Sequence, residues 1–180
     1  MKYISLLRGI NVGGQKKIKM NELKNLYEAQ GFQNVTSYIQ SGNLVFDVKS
    51  RSINSIKQKI ENAIQTHYGF EVPVDIRTPA TYQQIIDACP FEESRQAENS
   101  NRILVSFLSA TVSKDSLALL AKVASPSEKL SLYNDVFFIY CPDGYGRSKL
   151  SNNFVEKTLG LTATTRNWKT VNQLLTMSQI

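Results

Sequence analysis

The sequence is poor in the residues that build metal centres, disulfide scaffolds and membrane spans. It has two cysteines, Cys89 and Cys141, one histidine, His67, and one tryptophan, Trp168. Two scattered thiols and a lone imidazole give no pattern of zinc ligands. Both cysteines follow apolar segments, where a free thiol packs as a small hydrophobe, so no disulfide framework is expected. The spacing Gly9…Gly13-Gly14 is neither a Walker loop nor a dinucleotide fingerprint, and no cofactor is implied. No apolar run approaches membrane-spanning length and no signal peptide precedes Lys2, so the cytoplasm is the expected compartment and no membrane partner is expected. No Ser–His–Asp or Cys–His arrangement stands out. His67 lies at the end of an amphipathic segment, and Asp75 and Asp135 have no evident carboxylate partner.

What is present is an ordered chain. Its 180 residues are 42% hydrophobic and 20% charged, which fits one large domain or two small ones with real cores. The net charge is +6, which favours anionic partners. The positive charge gathers at both chain ends. Up to Lys24, Lys2, Arg8, Lys16, Lys17, Lys19 and Lys24 are opposed by Glu22 alone. From Asp143 onward, Arg147, Lys149, Lys157, Arg166 and Lys169 are opposed by Asp143 and Glu156.

Periodicity gives the elements in order. Lys2 to Leu7 is mostly apolar and reads as a buried strand. A glycine loop and lysine cluster follow, then a helix capped by Asn21 with Leu23, Leu26 and Tyr27 at helical spacing, stopped by Gly31. Val35 to Gln40 and Leu44 to Val48 read as strands joined by a turn at Ser41-Gly42-Asn43. Ser52 starts a helix with Ile53, Ile56, Ile60 and Ile64 on one stripe, ending near Gly69, and Val72 to Arg77 is the next strand. Thr78-Pro79 opens a short helix. Residues 92–101 are polar and read as a linker between a first half, 1–91, and a second, 102–180. The order then begins again. A strand runs over Ile103 to Leu108, Ser113 caps a helix, and a hairpin from Leu130 to Cys141 turns at Asn134-Asp135. A loop at Asp143-Gly144-Tyr145-Gly146 leads to a helix from Leu150 to Leu159, with Asn153 and Glu156 as an alternative capping box. Thr162 to Arg166 reads as a short edge strand before a final helix capped by Asn167. The expected fold is α+β, two ferredoxin-like (split βαβ) halves with antiparallel sheets and helices on one face, plus extra helices. The halves share an order of elements and no residue-level repeat is visible.

Four ordered motifs carry a resemblance. They are Leu6 to Gly14, Tyr38-Ile39-Gln40-Ser41-Gly42-Asn43, Gly146-Arg147-Ser148-Lys149-Leu150 and Thr164-Thr165-Arg166-Asn167-Trp168, with Met20 and Gly31-Phe32 between the first two. The chain resembles, over essentially its whole length, a widespread bacterial family catalogued as domain of unknown function 1697. Ser37 stands where that family commonly has Thr, which keeps the hydroxyl. The resemblance implies a two-part α+β fold of ferredoxin-like halves and brings no established activity.

The motifs are polar where packing alone would not ask for polarity. Arg8, Asn11, Gly13 and Gly14 form the first loop, and Gln40, Ser41 and Asn43 a hairpin tip. Arg147 and Lys149 precede a helix, and Thr165, Arg166, Asn167 and Trp168 precede the last one. Glycine turns before helices expose N–H groups, and arginine recognises phosphate or carboxylate in a two-pronged fashion. Gathered together, these residues would make a basic pocket between the halves for an anionic small molecule or nucleotide, with Trp168 as a stacking wall. Each also has a plain structural reading. The glycines suit turns, Arg8 and Arg166 suit ties to carboxylates or carbonyls, Thr165 and Asn167 suit helix caps, and Trp168 suits packing. Two other functions stay open. Ferredoxin-like sheets include RNA-binding modules, although Tyr3, Tyr38 and Phe46 do not follow the aromatic pattern of those strands. An enzyme acting on a phosphorylated substrate would position it by Arg and Lys.

Overall fold

The computed structural model describes residues 1–49 and 52–180. The chain divides into two compact units, Met1–Gln83 with Gln173–Ile180, and Gln84–Asn172. Each contains one four-stranded antiparallel sheet.

The first unit runs β1 (Lys2–Leu7), α1 (Met20–Ala29), β2 (Gln33–Tyr38), β3 (Asn43–Asp47), α2 (Ile53–Tyr68) and β4 (Val74–Arg77), with strand order β2-β3-β1-β4. Its sheet face carries Tyr3, Leu7, Leu44 and Phe46, which pack with Leu23 and Tyr27 of α1 and with Ile56, Ile60 and Ile64 of α2. Ser52 caps α2 by accepting from the Ser55 N–H, and Gly69 ends it in a left-handed conformation, both at the predicted residues. Helix α1 departs from expectation. Its first bond runs from Leu23 N–H to the Lys19 carbonyl, so the helix begins before Asn21 and has no side-chain cap. The hairpin turn also sits earlier, over residues 39–42, because Asn43 pairs with Tyr38 as the first residue of β3. Strand β4 begins at Val74 rather than Val72, since Pro73 has no N–H to give a ladder.

After α3 (Pro79–Asp87), residues 92–101 hold two single 3₁₀ turns, Glu92–Arg95 and Ala97–Asn99, within the second unit. The second unit then runs β5 (Ile103–Leu108), α4 (Lys114–Ala121), β6 (Lys129–Tyr133), β7 (Val136–Tyr140), α5 (Asn152–Leu159) and β8 (Ala163–Asn167), with order β6-β7-β5-β8, followed by α6 (Trp168–Ser178). Ser151, not the Asn153–Glu156 box, caps α5; Glu156 is used elsewhere.

That use of Glu156 exposes a repeat at residue level. In the first copy, Val74 N–H donates to Glu61 Oε1 at 2.9 Å; in the second, Ala163 N–H donates to Glu156 Oε1 at 2.9 Å. Leu7 N–H donates to the Gly42 carbonyl as Leu108 N–H does to Asp135, both at 2.8 Å. Arg8 N–H reaches the Pro73 carbonyl as Ser109 N–H reaches Thr162, both at 2.9 Å. Val48 N–H reaches Met1 at 2.9 Å as Cys141 N–H reaches Arg102 at 2.8 Å. The registers place Ser5 opposite Leu44 and Ser106 opposite Phe137, so a buried serine stands at the same position of each central strand. They also make Arg77 and Arg166 equivalent, paired with Ile4 and Val105.

Candidate functional site

The two copies differ mainly in their loops, and Arg8, Asn11, Gly13, Gly14, Arg147 and Lys149 fall on those differences. In the first copy the β1–α1 connection is long, residues 8–19 against 109–113 in the second. It turns back on itself. Val12 and Gln15 form an isolated antiparallel bridge around Gly13 and Gly14, whose φ values of 57° and 76° are those of a type I′ turn. Asn11, itself left-handed at φ 56°, anchors this small hairpin. Its Nδ2 donates to the Ile18 and Gln40 carbonyls, both at 2.8 Å, and its Oδ1 accepts from Ile18 N–H at 2.9 Å. The glycine loop and the tip of the β2–β3 hairpin are thus joined through Asn11.

At that tip, Gly42 has φ 72°, and a Cβ there would lie 2.7 Å from both Ile10 Cδ1 and Leu7 Cβ. Asn43 is buried and donates through Nδ2 to the Tyr38 carbonyl at 3.1 Å. Ser41 and Arg8 are half-buried. Lys16 Nζ donates to the Glu71 carbonyl at 2.6 Å and lies 6.0 Å from the centre of the Phe70 ring. Ile39, expected within the strand, lies just past its end as a β-branched residue held at φ 51° and exposed. Such a backbone is strained for isoleucine, and nothing in composition or spacing announces it.

In the second copy the long connection is β7–α5, residues 141–151 against 48–52 in the first. It folds through a 3₁₀ turn, Tyr145–Arg147, and borders a groove of about 510 Å³. Arg147 and Lys149 line it and are exposed, together with Glu128, Asp143, Ser148 and an apolar strip of Val123, Ala124 and Pro126. Glu128 is oriented by accepting the Ser125 N–H at 2.8 Å, and Asp143 by accepting the Ser127 hydroxyl at 3.4 Å. Buried Cys141 also lines the groove. Burial, with the Glu128 carboxylate beside it, pushes that thiol up to about 12, so it stays protonated at neutral pH.

The remaining predicted residues do not line this groove. Thr165 donates to Asn152 Oδ1 at 2.6 Å and shares a 2.7 Å bond with Ser106. Arg166 Nη1 donates to the Thr165 carbonyl at 2.9 Å. Asn167 caps α6 by accepting from Thr170 N–H at 2.9 Å, and bonds Asn101. Trp168 is buried, with Nε1 donating to the Ser94 carbonyl at 3.1 Å. The acidic members of the groove, Glu128 and Asp143, were missed in the sequence. The Ser125-Pro126-Ser127 break just before Glu128 was the available signal.

These features define the class: an α+β protein built from two ferredoxin-like copies, each elaborated at a different loop. Among the described residues, no helix is long and apolar enough to cross a membrane. The chain belongs to the family described as protein of unknown function DUF1697, whose model matches residues 1–138. It is similar in structure to a conserved bacterial protein, SP0830, from Streptococcus pneumoniae. The two are 23% identical, the match covers 98% of this chain and 97% of that one, and the TM-score is 0.75. No curated protein matches the chain.

Proposed function

We propose that the protein is a cytoplasmic binder of a small anionic molecule, the class that includes nucleotides, and that the site is the groove of the second unit. The observation that carries this reading is the β7–α5 connection. The first copy closes the same gap with residues 48–52, so the longer chain serves no need of the shared fold. It lines a groove of ligand size and sets Arg147 and Lys149 there. Guanidinium and ammonium groups at a concave surface suit phosphate or carboxylate. Calorimetric titration with inorganic phosphate, pyrophosphate and adenosine monophosphate tests the reading. Binding is expected, and the double variant Arg147→Gln with Lys149→Gln weakens it by about tenfold or more, the loss of one or two charge-assisted contacts. Arg8→Gln leaves it unchanged. Absence of binding, or binding indifferent to Arg147 and Lys149, overturns the reading.

A second reading, nucleic-acid binding, is supported by one feature, the exposed Lys17 beside the Gly13-Gly14 tip of the first unit. It predicts affinity for a mixed-sequence oligonucleotide that falls steeply with salt and depends on Lys17 rather than Arg147.

A further inference from the structure

We infer that the ligand of the second-unit groove is bipolar, with a phosphate or carboxylate at one end and a cationic amine at the other; this rests on that groove being the binding site. Arg147 and Lys149 line it with Glu128 and Asp143. Among the described residues, no ion pair joins either cation to either carboxylate. Opposite charges on mobile surface side chains normally gain by approaching one another. Here the carboxylates are turned by local bonds, Glu128 toward Ser125 N–H and Asp143 toward the Ser127 hydroxyl, and both signs remain available.

A ligand that is only anionic gains from Arg147 and Lys149 and is repelled by Glu128 and Asp143 in the same groove. A ligand that also carries an ammonium meets both pairs with the right sign. Its carbon body then has Val123, Ala124 and Pro126 to lie against. The Cys141 thiol, buried and protonated, adds no third negative charge. A polyol phosphate would offer hydroxyls to the carboxylates, which accept such bonds but gain less than from a cation.

The test is calorimetric titration of the full chain with phosphoethanolamine, glycerol phosphate and inorganic phosphate. Phosphoethanolamine is expected to bind at least about tenfold more tightly than the other two, the scale of one charge-assisted contact. Glu128→Gln with Asp143→Asn removes that preference and leaves inorganic phosphate as tight or tighter, whereas Arg147→Gln weakens all three. If phosphate binds through Arg147 and the amine adds nothing, or glycerol phosphate equals phosphoethanolamine, the bipolar assignment is overturned while the anion site stands. If none of the three gives an Arg147-dependent signal, the anion site itself falls.

Discussion

Asn11 shows how a polar residue in a glycine loop is used by the fold itself. It stood out in the sequence as a candidate ligand contact because no apolar pattern demanded it. Its amide instead makes three bonds of 2.8–2.9 Å to backbone atoms, two of them to Ile18 and one to Gln40. Asn167 is similar, since its cap on α6 was as legible as any ligand role. Neighbouring glycines separate in the same way. Gly13 has open space where a Cβ would go, whereas Gly42 is packed against Ile10 and Leu7. Gly42→Ala combines left-handed strain with overpacking and is expected to cost about 2–4 kcal/mol. Gly13→Ala carries the strain alone, about 1–2 kcal/mol. Urea denaturation of the two variants measures the difference; equal losses would mean that the contact at Gly42 relaxes freely.

The elements themselves were largely readable. Apolar periodicity located the helices and most strands, and Ser52 and Ser113 each accept an N–H from three residues on, as N-caps do, whereas the Ser151 cap of α5 was not read. The repeat was not readable, because its signature is a set of bonds between positions that sequence spacing does not link. Glu61 lies 13 residues before its partner Val74, and Glu156 lies 7 before Ala163. Each carboxylate holds the first N–H of an edge strand, a donor that would otherwise lack a ladder partner. Glu61→Ala and Glu156→Ala are each expected to destabilise the protein by about 1–3 kcal/mol through that orphaned, part-buried donor. Chemical denaturation checks both. The repeat predicts losses of similar size, and a silent substitution in either copy would show that water satisfies the strand there.

At the scale of the whole chain, the two compact units do not follow chain order. Gln173–Ile180, the end of α6, belongs with Met1–Gln83. Composition marks only the polar stretch 92–101 as a boundary, because it registers hydrophilicity and not which residues cluster. Leu174 and Leu175 within that end are buried, and burial of a leucine contributes about 1.5–3 kcal/mol. A chain ending at Asn172 is therefore expected to lose at least about 3 kcal/mol. The loss should appear as a lower thermal midpoint and faster proteolysis within residues 1–83, while cleavage confined to residues 84–172 would contradict the assignment.

The elaborated loops leave opposite ends of their respective sheets. The β1–α1 loop begins where β1 ends, whereas the β7–α5 loop begins beside the start of β5, where Cys141 bonds Arg102. Neither elaboration had to disturb the other copy's version of the same turn, which stays short. One copy thus keeps each of these two connections short while the other extends it, so the two added loops draw on different ends of one shared architecture.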